Sequence, residues 1–185
     1  MNLPNSLTAA RIVLVPLLVV VLLTEIEVPL LLGMPRELLA AVIFSVASFT
    51  DWLDGYLARR RKQVTTFGQL MDPVADKLLI TAALVSLVQM GLAPAWIVAV
   101  IIGRELLVTG LRSLAQARGV TMAASRLGKF KMGFQVAAVL LLLVGRALFH
   151  PFFVLGGIAL WVVMALSLWS AFDYYRRFVL GAARA

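Results

Sequence analysis

Long apolar stretches alternate along the chain with short segments that gather its charges and turn formers. Residues 78–103 and 147–172 are each 26 residues without a formal charge, and about 20 apolar residues are enough for a helix to cross a bilayer. Both stretches contain turn formers, so neither is one unbroken span. Hydropathy and breakers predict spans near 9–32, 38–59, 67–90, 95–117, 127–148 and 153–176. The predicted fold class is all-α, an integral membrane bundle of six transmembrane helices in one domain over 1–185, with a short N-terminal interfacial segment. Asn5 or Ser6 is placed to cap a short helix at the interface, and Pro4 marks where the preceding chain leaves helical geometry. No internal repeat, low-complexity segment or linker interrupts the chain.

Composition agrees with the pattern, since 62% apolar and 14% charged residues leave too little polar surface for a soluble globule. The balance of 17 Lys and Arg against 9 Asp and Glu would suit nucleic acid on a soluble face. Here the basic residues fall between apolar runs, so they read as topology signals facing anionic lipid, with no nucleic-acid partner. There is no cysteine, which excludes disulfides and thiolate metal sites. His150, before Pro151, reads as a solvated loop side chain. The first 23 residues resemble a secretory signal, but Thr24 to Pro29 offers no small-residue cleavage site, so the segment is expected to be a retained span.

Arg11, Arg59 to Lys62, Arg112 through Lys131, Arg176, Arg177 and Arg184 fall on one side of the predicted topology, and Arg36 and Arg146 on the other. The positive-inside rule puts the N-terminus, the second and fourth connections and the C-terminus in the cytoplasm. The expected location is the cell (inner) membrane, multi-pass.

Four aspartates interrupt this apolar background: Asp51, Asp54, Asp72 and Asp76. Charge inside a membrane is costly unless solvated or paired. Spacings of three and four put each pair on one face of its helix. Counting about 1.5 Å of rise per residue from the turn before Phe67, Asp54 and Asp72 lie about one and a half turns inside the cytoplasmic end, and Asp51 and Asp76 about a turn deeper. A cluster of four carboxylates without His or Cys suits hard cations, two Mg²⁺ or Mn²⁺ bridging substrate phosphates. The structural alternative pairs the acids with Arg59, Arg60, Arg61 or Lys77. Gly55, Ala58 and Gly68 leave the adjoining walls without bulk, open to a ligand or to close helix packing.

In order, these residues read Asp51-x2-Asp54-Gly55-x2-Ala58-Arg59-x8-Gly68-x3-Asp72-x3-Asp76, which resembles the complete signature of the CDP-alcohol phosphotransferases. The resemblance implies transfer from a CDP-linked donor, here CDP-diacylglycerol, to an alcohol, with release of CMP. It implies metal ligation by Asp51, Asp54, Asp72 and Asp76, with Asp76 also the catalytic acceptor of the hydroxyl proton. It further implies a CDP site at Asp54, Gly55, Ala58, Arg59 and Gly68, and a homodimer. An interface-level site suits a donor whose tails need lipid and whose nucleotide needs water.

Beyond the signature, Asn2 to Thr8, Gly103-Arg104-Glu105 through Gly110-Leu111-Arg112, and Ala123 to Lys131 resemble the branch of that family whose acceptor is sn-glycerol 3-phosphate. Arg104, Arg112, Lys129 and Lys131 are the implied acceptor-phosphate residues, and arginine's fork suits phosphate. Arg104 points about 100° from the face shared by Glu105 and Arg112, so one pocket holding both arginines needs neighbouring helices to close around it; pairing with buried acids is the alternative. Lys129 and Lys131 are on opposed faces if the helix has begun there. Met132 stands where a small hydroxyl residue is expected. Asp173, before Arg176 and Arg177, reads as part of an interface ion pair. Other acceptors of the same family, phosphatidylglycerol, serine or inositol, remain open, as does cation transport, although transport acids usually lie nearer mid-membrane.

Overall fold

A helix covers nearly all the described residues of each predicted span. The structure is a computed structural model describing residues 3–24, 34–61, 66–117 and 126–182, with side chains described except at 3–9, 51–73, 76, 116–117, 126–129 and 177–182. The described residues form six α-helices and no strand: α1 (Leu3–Leu23), α2 (Arg36–Arg61), α3 (Thr66–Gln89), α4 (Ala95–Ala117), α5 (Arg126–Ala147) and α6 (His150–Ala182).

Three boundaries differ from expectation. The interfacial segment is not a separate helix, because α1 runs unbroken from Leu3. Proline in a first turn loses only an N–H that has no intrahelical acceptor, so Pro4 opens the helix without breaking it. The same reasoning applies to Pro151, so His150 begins α6 rather than sitting in a loop, and its ring stacks on Phe153 at 6.1 Å between centroids. The 33 residues of α6 rise about 50 Å, more than the roughly 30 Å hydrocarbon core. α1 ends at Leu23 rather than near 32, and residues 25–33 lie outside the described ones.

Short connections set neighbouring helices antiparallel. Between α3 and α4 the chain turns through Gly91, at φ 69°. There Leu92 N–H donates to the Leu87 carbonyl (2.8 Å) and Gly91 N–H to that of Val88 (3.0 Å), the bond pair of a Schellman cap, which needs a left-handed residue at Gly91. Only Leu148 and Phe149 join α5 to α6. These two helices approach closely: a Cβ on Gly145 would run into the backbone of Phe153, and one on Gly156 would meet Leu142 N at 2.8 Å. Glycine is required there for contact, not for conformation.

The packing closes a ring in which α2 lies on α5, α5 on α6, α6 on α4, α4 on α3 and α3 on α2, with α1 laid against α2 and α3. Its apolar core includes Leu18, Phe44, Leu84, Leu87, Ile97 and Leu142. Outward positions are apolar too, among them Val13, Phe49, Leu106 and Trp169, all more than half exposed. Water would penalise so much exposed apolar surface, whereas lipid does not. Two stretches, Phe130–Ala147 and His150–Arg176, are long and apolar enough to cross a membrane, and Ala10–Leu23 and Lys77–Gln89 are shorter apolar helices. The chain is a membrane protein by these helices and this surface.

Candidate functional site

Buried positions recur every three or four residues along each helix, and their chemistry changes from one end to the other. In α4 the stripe runs Ile97, Ile101, Arg104, Val108; in α6, Leu160, Val163, Ser167, Ser170. In α5 it runs Lys131, Gln135, Ala138, Leu142, and in α1 Arg11 precedes Leu18 and Leu22. The polar members lie in the N-terminal halves of α1 and α5, near the middle of α4 and just past the middle of α6. In an antiparallel bundle these positions fall near one level, from mid-helix toward the end assigned to the cytoplasm from charge.

The aspartates continue the same stripes. In α2 the buried residues Ala40, Phe44 and Ala47, extended by seven-residue steps, lead to positions 51, 54 and 58, because seven residues are close to two turns. In α3, the buried residues Ala75, Leu79 and Ala83 lead back by the same step to positions 68, 72 and 76. Asp51, Asp54 and Ala58, and likewise Gly68, Asp72 and Asp76, therefore fall in sequence register with the buried stripes of two helices in contact. Four carboxylates at one end of that pair are a donor set that fits hard divalent cations. The side chains of these residues, and of Gly55, Arg59 and Lys129, lie outside the described ones. Among the described residues no three His, Cys, Asp or Glu group together.

The described side chains build a polar network beside this register. Arg104 is buried, and its Nε donates to the Ser167 carbonyl (3.2 Å), its Nη2 to Ser170 Oγ, and its Nη1 to Glu105 Oε2 (2.8 Å). Lys131, also buried, donates from Nζ to the same Glu105 oxygen. One helical turn away, Lys77 Nζ donates to Thr109 Oγ1 (2.6 Å), which donates to the Glu105 carbonyl (2.7 Å). Four helices, α3 to α6, are thus tied at a single level. Charge-assisted bonds of this kind are stronger than neutral ones, and burial of the cations demands them.

The predicted acceptor residues separate into distinct situations. Arg104 and Lys131 meet on Glu105, through an arm long enough to overcome the usual divergence of helix neighbours. Arg112, half-buried on α4, makes no hydrogen bond or ion pair with a described residue. It stands about 12 Å along the helix from Arg104 and shares no partner with it. α5 is already helical at Arg126, so Lys129 and Lys131 occupy opposed faces. Asp173 is half-buried, and Arg176 lies over the Phe172 ring at 5.9 Å.

Four members of this end were not singled out from sequence as site residues. Arg11 entered only as a topology charge, yet it is 1% exposed on a helix laid against both aspartate-bearing helices. Glu105, Ser167 and Ser170 were likewise without a role. The available signal was their place on the apolar stripe, where a polar residue in register with Leu160 and Val163, or with Ile97 and Ile101, must find a polar partner.

The family model for CDP-alcohol phosphatidyltransferase matches residues 1–169. The chain is 43% identical over 187 residues to the CDP-diacylglycerol–glycerol-3-phosphate 3-phosphatidyltransferase of Bacillus subtilis, covering 95% of this chain and 94% of the relative. It is 38% identical to the Pseudomonas fluorescens protein of that name (95% and 89% covered) and 35% to that of Rickettsia bellii (95% and 94%). With matches of this length, the chain belongs to the CDP-alcohol phosphatidyltransferase family.

Proposed function

We propose that this protein transfers the phosphatidyl group of CDP-diacylglycerol to sn-glycerol 3-phosphate, giving phosphatidylglycerophosphate and CMP in anionic phospholipid synthesis. One observation supports the chemistry: four aspartates at helical spacing fall in sequence register with the buried stripes of α2 and α3, two helices in contact. The acceptor is the one in the names of relatives that match nearly the whole chain. The cationic groups of α4 and α5 support an anionic acceptor.

Asp51, Asp54, Asp72 and Asp76 would hold two divalent cations, Mg²⁺ or Mn²⁺, which supply neutralising charge for the donor's diphosphate. Gly55, Ala58, Arg59 and Gly68, with Asp54, would receive the cytidine diphosphate, small residues leaving room and Arg59 supplying charge. Asp76 would accept the proton of the acceptor's primary hydroxyl as its oxygen attacks the phosphorus bonded to the lipid. The bond from that phosphorus to the CMP oxygen breaks, and CMP leaves into water. Arg104, Arg112, Lys129 and Lys131 are the cations proposed for the acceptor's own phosphate, Arg112 and the Arg104–Lys131 pair by position and Lys129 by resemblance.

All six helices would cross the inner membrane, with the site on the cytoplasmic side where the basic residues gather. A lipid donor explains that depth. A homodimer follows from the resemblance. Cation transport is the weaker reading, because the four aspartates fall near one end of α2 and α3 beside a basic connection, whereas transport acids usually lie nearer mid-membrane. The test is CMP release by purified protein given CDP-diacylglycerol, Mg²⁺ and a panel of alcohols. Release with sn-glycerol 3-phosphate is expected; release with every acceptor except that one would refute the substrate, and none from folded protein would refute the activity.

A further inference from the structure

Glu105 has no part in the chemistry above, yet its carboxylate lies where the proposed acceptor-phosphate cations converge. A single oxygen, Oε2, receives both Arg104 Nη1 and Lys131 Nζ. The two cations are held by the fold, with side chains 7% and 4% exposed, whereas the Glu105 side chain is 32% exposed. Arg104 is further anchored on α6 through the Ser167 carbonyl and Ser170 Oγ. The anion is therefore the movable partner, on an arm with an open side, and the cations are the fixed ones.

Two buried cations beside each other are strongly unfavourable without an anion between them. Among the described residues, an anion between them is Glu105. A phosphate monoester carries the same kind of oxygen with greater charge, and its oxygens can take both cations together. Resting on the reading of Arg104 and Lys131 as acceptor-phosphate residues, we propose that Glu105 determines specificity as an internal stand-in for the acceptor's phosphate, which displaces it from Lys131. A neutral alcohol brings no charge to replace the carboxylate and leaves the ion pair closed. A phosphorylated alcohol opens it, and the released carboxylate turns to its exposed side.

The experiment compares Glu105→Gln, Glu105→Asp and Lys131→Met with the unmodified protein in lipid nanodiscs, measuring KM for sn-glycerol 3-phosphate and for CDP-diacylglycerol and the rise in unfolding temperature with added sn-glycerol 3-phosphate. Removing the internal competitor should lower the acceptor KM about threefold to tenfold in Glu105→Gln, leave the donor KM unchanged and enlarge the thermal shift. Glu105→Asp keeps the charge but shortens the arm that spans both cations; it should lower the acceptor KM less, and it serves if the glutamine variant does not fold. Lys131→Met should raise the acceptor KM about tenfold. No change in acceptor KM for Lys131→Met would overturn the underlying assignment. A raised KM in Lys131→Met together with a raised KM in both Glu105 variants would overturn the stand-in alone and make Glu105 a residue that positions the cations.

Discussion

The two ends of this bundle share one geometry and differ in chemistry. At the end that carries the α3–α4 and α5–α6 connections, inward positions are filled by residues such as Leu22, Phe44, Leu87, Ile97 and Leu143, and helices meet closely enough that Gly145 and Gly156 leave no room for a side chain. From mid-helix toward the other end the same stripes carry Arg11, Arg104, Lys131, Ser167 and Ser170, and the four aspartates continue them in sequence register. In a membrane, apolar contact alone gives little preference for protein over lipid. Close packing therefore has to fix the helices at one end so that the other can hold charges at defined positions.

Breaking the polar end without touching the apolar one should separate activity from stability most completely. Asp76→Asn is expected to lower the rate of CMP release about a thousandfold, by loss of the proposed base and a metal ligand, while thermal unfolding in detergent stays near that of the parent. The converse break is Gly145→Ala, whose methyl group meets the Phe153 backbone. It should cost about 3 kcal/mol, as overpacking does, whereas Gly157→Ala, with nothing within 4 Å of its Cβ, should cost far less. Calorimetry or denaturant titration of both variants checks the contrast.

Smaller effects sharpen it. Ser170→Ala removes a buried acceptor from the Arg104 guanidinium and should destabilise by about 1.5 kcal/mol, with a rise in acceptor KM that Gly145→Ala does not share. Gly91→Ala forces a Cβ into left-handed backbone at φ 69° and should cost about 1 kcal/mol with no change in either KM.

Much of this division is legible in the sequence. The alternation of apolar runs and charged turns marks all six helices, because the hydrophobic signal in each is long and the connections hold the charge and the breakers. Residues 51–76 carry the clearest chemical signal, since four acids at helical spacing in an apolar chain call for cations or basic partners, and the proposed metal site rests on it. Where expectation failed, the cause was local at two prolines and tertiary elsewhere. Pro4 and Pro151 look like boundaries until first-turn tolerance is considered, so α1 and α6 extend past the expected spans. Glu105 is adjacent to Arg104, and adjacency predicts divergence; only the length of the arginine arm and the approach of α5 bring Lys131 to the same oxygen. Serines of α6 are unremarkable as residues, and their role exists only because α4 packs on α6.

The central claim is that carboxylates of α2 and α3 share divalent ions at the cytoplasmic end. Electron paramagnetic resonance of nanodisc-embedded protein titrated with Mn²⁺ tests it directly, by counting bound ions and detecting coupling between them. The account predicts two Mn²⁺ per chain close enough to couple, with the coupling lost in Asp54→Asn and in Asp72→Asn. Uncoupled ions, or binding that survives both substitutions together, would contradict it.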